Sequence, residues 1–217
     1  MTRMNHHPKP ETLAAYAAGA LDEARAIALA AHLAMCVECR RGVADFEAVG
    51  GLALEALDGE SMSPGALERF WSRAGLQEKA GAAPSFGGDI RIPEALRRHI
   101  DGDFDGIAWK PVSKGFSQAV LDAKGYRSGA LRLFKIDPGI RMPRHSHGDA
   151  EFTLILKGAY EDELGVFGRG DFADLDGEDV HGPRAIGEEP CICLIATSAP
   201  LVFRGLFEKI AQRWVGV

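Results

Sequence analysis

Two groups of residues carry types and spacings that can do chemistry. The first is His32-Leu33-Ala34-Met35-Cys36-Val37-Glu38-Cys39, a His-x3-Cys-x2-Cys run in a chain of 217 residues with four cysteines. Residues four and seven apart share a helix face, so His32, Cys36 and Cys39 converge if the helix ends or bends near the cysteines. Two thiols and an imidazole are three parts of a tetrahedral structural zinc site, and His6 or His7 can supply the fourth. The competing readings are two core cysteines beside a surface histidine, or a thioredoxin-like redox pair. No βαβ pattern surrounds the run to support the latter. The second group is Gly139-x5-His145-x-His147-x3-Glu151-x6-Gly158, followed after Gly170 by His181. Strand residues two apart share a face, so His145 and His147 point the same way, Glu151 opens the next apolar run, and His181 arrives from a neighbouring strand. Three imidazoles and a carboxylate suit zinc, iron, manganese, copper or nickel.

The elements that must position these groups differ in kind. The first third reads as helix throughout. Pro10 suits a first turn, Leu13, Tyr16 and Ala17 form a short stripe, and Gly19 supplies a stop. Asp22 caps a second helix that carries Ile27, Leu29 and Leu33 to the His32/Cys36 corner. A third runs from about Cys39 to Leu57, with Val43, Phe46, Val49, Ala53 and Leu57 on one side and Gly50-Gly51 as a weak point. Ser63-Pro64 starts a fourth, whose Leu67, Phe70 and Trp71 are large enough to imply docking, either onto a partner or into the protein's own core. So small and alanine-rich a unit has a thin core, and metal is expected to stabilise it.

Residues 77–92 lose periodicity and fill with Gly, Ala and Pro, which marks a linker. Beyond them come short strands: Phe116 to Leu121, Ala130 to Ile136, Glu151 to Leu156, Cys191 to Ala196 and Leu201 to Phe207, a sandwich or barrel. A last helix or strand is expected from Phe207 to Trp214. Along Glu151 to Leu156, alternation places Glu151, Thr153 and Ile155 inside and leaves Phe152, Leu154 and Leu156 on an outer face that something must cover. A second sheet, a partner subunit and the helical unit are all possible covers. Cys191 and Cys193 share a strand face; buried core thiols are one reading and a redox pair the other, with Met142 and the metal-bound histidines as further oxidation targets.

Net charge is −6 with a pI near 5.7, which argues against broad attraction to nucleic acid and allows a basic protein partner. The N-terminus has no apolar signal region, no stretch is long and apolar enough to span a bilayer, and four cysteines are too few for a secreted disulfide framework. A cytoplasmic protein in a reducing compartment is expected.

The second spacing resembles that of the cupins, small β-barrels that hold a metal with these four residues. The match runs from about Pro93 onward. Its first motif is complete; its second keeps Gly170 and His181 but has Asp176, Glu178 and Ala185 where Pro, Gly and Asn are the pattern. The first third resembles zinc-binding anti-sigma domains. Both in this order resemble the ChrR-type anti-sigma factors, a likeness supported by Ala15 to Gly19 and by Cys191-Ile192-Cys193. Aligning Ala15 to Gly19 places the remaining ligand on His7.

The resemblance implies two domains, a small all-α zinc-binding helical domain over 1–76 and an all-β cupin barrel over 93–217, joined by the 77–92 linker. It implies zinc on His7, His32, Cys36 and Cys39, and zinc or another divalent transition metal on His145, His147, Glu151 and His181. It also implies a protein that is no enzyme, binds an extracytoplasmic-function-type sigma factor through the helical domain, and releases it under singlet oxygen or peroxide stress. Laid as an amphipathic helix into a groove, Leu67, Phe70 and Trp71 would then anchor the partner. A different expectation is a metal-dependent dioxygenase or isomerase with a zinc-stabilised helical appendage; a storage or scaffold cupin is a third.

Overall fold

The computed structural model describes residues 4–74, 92–100, 102–121, 130–147, 150–197 and 201–202. All of the expected 77–92 linker except Ile92, which is buried, and the expected last element from Phe207 to Trp214 lie outside the described residues.

Four helices come first: α1 (Pro10–Ala17), α2 (Glu23–Met35), α3 (Val37–Glu55) and α4 (Ala66–Ala74). Their boundaries follow local chemistry. Pro10 opens α1 where no intrahelical donor is needed, and Gly19, at φ +66°, lets the chain turn out of it. Asp22 accepts the backbone N–H of Arg25 at 2.9 Å and so caps α2. Cys36 divides α2 from α3. Its backbone is extended (φ −107°, ψ 110°), and its sulfur accepts the Cys39 N–H at 3.4 Å as the cap of α3. The bend that the metal spacing requires is therefore built into the cysteine pair.

After a short 3-10 turn at Glu94–Leu96 the described elements are all strands. The order is β1 (Lys110–Ser113), β2 (Phe116–Leu121), β3 (Ala130–Ile136), β4 (His145–His147), β5 (Glu151–Lys157), β6 (Ala159–Asp162), β7 (Gly165–Gly168), β8 (Phe172–Leu175), β9 (Val180–His181), β10 (Arg184–Ile186), β11 (Cys191–Thr197) and β12 (Leu201–Val202). All pairings are antiparallel. A six-stranded sheet runs β1-β2-β3-β11-β5-β8, with two three-stranded sheets, β10-β6-β7 and β12-β4-β9. Among the described residues these sheets do not join into a closed barrel, which corrects the expected cupin barrel to a cupin-like arrangement of three sheets. Among the described strands, those of β10-β6-β7 and of β12-β4-β9 form ladders only within their own sheet, and β10 is tied to the chain before β4 by the backbone bonds of Ala185 with Gly139 and Ile140.

Both faces of the large sheet are buried, and period-two alternation sorts its side chains. One face sends Phe134, Ile155, Cys191, Cys193 and Ile195 into a core with Tyr160 and Phe167. The other face sends Leu131, Leu133, Phe152, Leu154, Leu156 and Leu194 against Ala24, Ala28, Leu29 and Leu33 of α2. The helical part is thus the cover over the outer face of β5. Alanines on α2 let its backbone approach the sheet, and one apolar core runs through both parts. Fully burying each leucine or phenylalanine here contributes roughly 1.5–3 kcal/mol, so the helices do not depend on a core of their own.

The far half of the helical part is different. α3 buries Cys39 and Val43 alone among its residues, and α4 buries none.

Candidate metal centres and an exposed apolar helix

His7, His32, Cys36 and Cys39 each offer a donor atom, and the four donors lie within 4.8 Å of one another. His7 Nδ1 is 3.5 Å from Cys36 Sγ and 3.3 Å from Cys39 Sγ, and His32 Nε2 is 3.3 Å from Cys39 Sγ. A tetrahedral centre with Zn–S near 2.3 Å and Zn–N near 2.0–2.1 Å has N···S edges of about 3.6 Å. The donor set and its spacing fit a structural zinc ion. His6, the other N-terminal histidine, is turned away: its ring stacks on Phe167 with centroids 3.9 Å apart and a ring nitrogen meets the Val166 carbonyl at 3.1 Å.

The electrostatics of this cluster prepare it for metal. Burial holds the His32 imidazole neutral, lowering its pKa to about 4 against the weaker opposing effect of the Gly170 carbonyl. Its Nδ1–H donates to that carbonyl at 2.9 Å, which leaves the Nε2 lone pair facing the sulfurs. Burial, followed by the hydrogen bond to Cys36, pushes the Cys39 thiol up to about 12. Without a cation the thiol keeps its proton; a divalent ion would displace it.

The second cluster brings together His145, Glu151 and His181, all buried, with donor atoms again within 4.8 Å. Its register explains the convergence. His145 on β4 stands directly opposite His181 on β9, with rings 4.7 Å apart, while Glu151 is the first residue of β5 on the inner face. His145 Nδ1–H donates to the Pro143 carbonyl and His181 Nδ1–H to Asp162 Oδ2, each at 2.8 Å, so both Nε2 atoms are directed inward. Thr153 Oγ1–H donates to Glu151 Oε1 at 3.2 Å. Imidazoles fixed through their outer nitrogens, with a hydrogen-bonded carboxylate beside them, are a donor set suited to a divalent transition metal. His147 closes β4, and its side chain lies outside the described residues.

Where the second cupin motif departs from its pattern, carboxylates make the turn. The Asp176 N–H donates to Asp179 Oδ2 at 2.9 Å and the Glu178 N–H to Asp176 Oδ1 at 3.1 Å, a pair of local bonds that turns the chain about Gly177 with Asp and Glu at the motif's Pro and Gly places and still delivers His181.

A cavity beside this cluster is lined by Phe134, Ile136, Met142, Tyr160 and Cys193 as well as the three donors. Cys191 and Cys193 are buried and free. The hydrogen bond to Cys191, and then burial, push the Cys193 thiol well above its ordinary value, so it is protonated and a poor nucleophile, as a core residue is.

Leu67, Phe70 and Trp71 are exposed, at 55%, 58% and 62%. They complete no core among the described residues. Phe70 and Trp71 pack edge to face on each other with centroids 5.0 Å apart, and Val49, Leu52, Leu54, Leu57 and Met62 extend the apolar surface along α3 and the connection to α4. Sequence periodicity found the α4 aromatics. It placed Val49 and Leu57 on an apolar side of α3 and could not show that they stay exposed among the described residues. Asp162 and Asp171 carry no signal in sequence, because their roles arise from β6 meeting β9 and from the N-terminal segment meeting β8.

Fold and donor sets together define a zinc-finger-like helical domain docked on a cupin-like domain. Family comparison agrees: a zinc-finger family matches residues 11–40 and the ChrR cupin-like domain matches residues 98–200. The chain is 36% identical over 209 residues to the anti-sigma-E factor ChrR of Cereibacter sphaeroides, covering 96% of this chain and 97% of that one. It is also similar to a chain in the crystal structure of Rhodobacter sphaeroides SigE in complex with the anti-sigma ChrR, with a TM-score of 0.77 and 34% identity over 90% of this chain and 100% of that chain. This chain belongs to the ChrR family of anti-sigma factors.

Proposed function

We propose that this chain binds and inhibits an extracytoplasmic-function-type sigma factor through its helical domain, and releases it when the cupin-like domain senses oxidative stress from singlet oxygen or peroxide. The observation that carries this reading is the bare apolar face of α4. A nine-residue helix that buries nothing and presents Leu67, Phe70 and Trp71 to water is a liability in a solitary protein and an anchor in a complex. The relatives support the choice of partner, since one of them was crystallised in complex with SigE.

In this reading His7, His32, Cys36 and Cys39 hold zinc that fixes the α2–α3 corner, so that α3 and α4 project as one binding surface. The ion supplies a rigid cross-link and no reaction. His145, His147, Glu151 and His181 hold a divalent transition metal as the sensor, with Met142 and Cys193 beside it as further oxidisable groups. The protein works in the cytoplasm, contacts no nucleic acid directly and catalyses no turnover. No described helix is long and apolar enough to cross a membrane.

The test is reconstitution. Full-length protein mixed with the extracytoplasmic-function sigma factors of its own organism should bind one of them and block its transcription in a purified polymerase assay, and illumination with a singlet-oxygen generator should restore transcription. Failure to bind any of those sigma factors would reject the inhibitor reading. Release that is unchanged in a His145→Ala variant would reject the cupin-like sensor.

A further inference from the structure

The zinc cluster gathers at the α2–α3 corner, with His7 reaching it from the segment before α1, yet the groups that hold its histidines belong to the β part. The turn between β7 and β8 places the Gly170 carbonyl 2.9 Å from Nδ1 of the fully buried His32. The next residue, Asp171, is itself buried, and its Oδ1 accepts the backbone N–H groups of Asn5 at 2.7 Å and His6 at 3.1 Å. Its Oδ2 accepts the Gly168 N–H at 2.8 Å, which locks the carboxylate in place. Further along, the Phe172 N–H donates to the His6 carbonyl at 3.1 Å and the Lys9 N–H to Asp174 Oδ2 at 2.9 Å. His7 therefore sits in a segment tied down on both sides by β8 and the turn that precedes it.

We infer that the β7–β8 turn is the outer shell of the zinc site, with Asp171 as the positioning residue for His7 and Gly170 for His32, so that the cupin-like domain sets the affinity of the helical domain for its metal. This rests on the zinc reading above. The physical reason is order. His7 lies 25 residues before the next ligand, His32, on a segment that precedes the first helix, and an untethered segment must lose its conformational freedom each time zinc binds. Bonds from Asp171 and Asp174 hold that segment in the bound conformation beforehand, and outer-shell partners of this kind change metal affinity by about 10–100-fold.

The position of the turn gives the inference a regulatory consequence. β8 pairs directly with β5, with Leu175 opposite Glu151, so the strand that holds the zinc ligand's segment also lies against the strand that opens with a cupin-like-site donor. A shift of β5 on damage at that site displaces β8, and by linkage zinc occupancy biases β5 in return.

The test uses full-length protein loaded with cobalt(II) in place of zinc, whose thiolate-to-metal absorption reports on the Cys36/Cys39 site, and competition against a chromophoric chelator. Asp171→Ala is expected to weaken metal binding there by about 10–100-fold, while Asp171→Asn, which keeps the Oδ1 acceptor, recovers most of the affinity. Asp174→Ala, at a less buried position, is expected to weaken binding by a few fold and serves where Asp171→Ala does not fold. Unchanged affinity in a folded Asp171→Ala, or in Asp174→Ala should the former not fold, would overturn the inference and leave the zinc site standing. Absence of the thiolate band in the unmutated protein would overturn the zinc reading and this inference with it.

Discussion

His181 Nδ1 lies 2.8 Å from Asp162 Oδ2, and both side chains are almost completely removed from water. A buried carboxylate that accepts the outer N–H of an imidazole fixes which nitrogen faces the metal and makes that nitrogen a better donor. Asp162 reaches this position because β6 ends beside β9, on the side of His181 away from the cluster.

Asp162→Asn is therefore expected to weaken metal binding at the cupin-like site by about tenfold or more, leaving the helical site at full occupancy. Metal content of the full-length variant, measured against a graded chelator, checks it. Loss at both sites would mean that Asp162 acts on the fold as a whole.

The α4 surface yields a prediction with a built-in control. Phe70 and Trp71 are more than half exposed, so truncating either to alanine should leave the melting temperature within a degree or two of the parent. Sigma-factor affinity should fall by about 2–4 kcal/mol for Trp71→Ala, the range for a central aromatic anchor. A variant that melts normally and binds normally would remove α4 from the interface.

Zinc removal should act unevenly. α2 is held by Ala24, Ala28, Leu29 and Leu33 against the large sheet, whereas α3 buries only Cys39 and Val43. Amide exchange after chelation is expected to rise across α1 and α3 and much less across α2. Uniform protection before and after verified metal loss would contradict this, as would collapse of the whole helical part.

These expectations show what was legible in the chain before folding. The helical spacing of His32, Cys36 and Cys39 is a local property, readable because 3.6-residue periodicity fixes which side chains meet. The inner set Glu151, Thr153 and Ile155 was readable for the corresponding reason in a strand, and so was the need to cover Phe152, Leu154 and Leu156. What covers them was not readable, because α2 lies more than a hundred residues earlier and its alanines carry no mark of a target. The incomplete closure of the sheets was equally hidden, since strand periodicity says which face is buried and nothing about which edges pair. Asp162 and Asp171 are ordinary acidic residues in sequence; their functions depend on long-range approach alone.

Acid should expose the cost of the buried imidazole in the metal-free protein. His32 is neutral in the fold, with a pKa lowered from 6.5 to about 4 by burial, and regains its ordinary value when the chain unfolds. Between those two values the unfolded chain binds more protons, so this group's contribution is fully present above about pH 6.5 and is lost as the pH falls towards 4. A shift of this size corresponds to about 3 kcal/mol. Denaturant titrations of the metal-free protein at steps across that window should show the midpoint falling, and His32→Gln should flatten the dependence there.

Tyr160 offers the last prediction. Its hydroxyl is buried against the cavity beside the cupin-like cluster with no hydrogen-bond partner among the described residues, and burial, reinforced by the nearby Asp162, raises its pKa well above the ordinary value. The phenol is therefore neutral throughout the accessible range, and its O–H carries a desolvation penalty that no group among the described residues offsets. Its ring remains useful, stacked on Phe167 with centroids 4.8 Å apart. Tyr160→Phe keeps the ring and removes the unsatisfied group, so stability should stay level or rise by about 1–2 kcal/mol, against the usual sense of a core substitution. Calorimetry of the two proteins decides it: a clear fall in melting temperature for Tyr160→Phe would show that the hydroxyl is bonded in the folded protein, by water or by a bound molecule in the cavity.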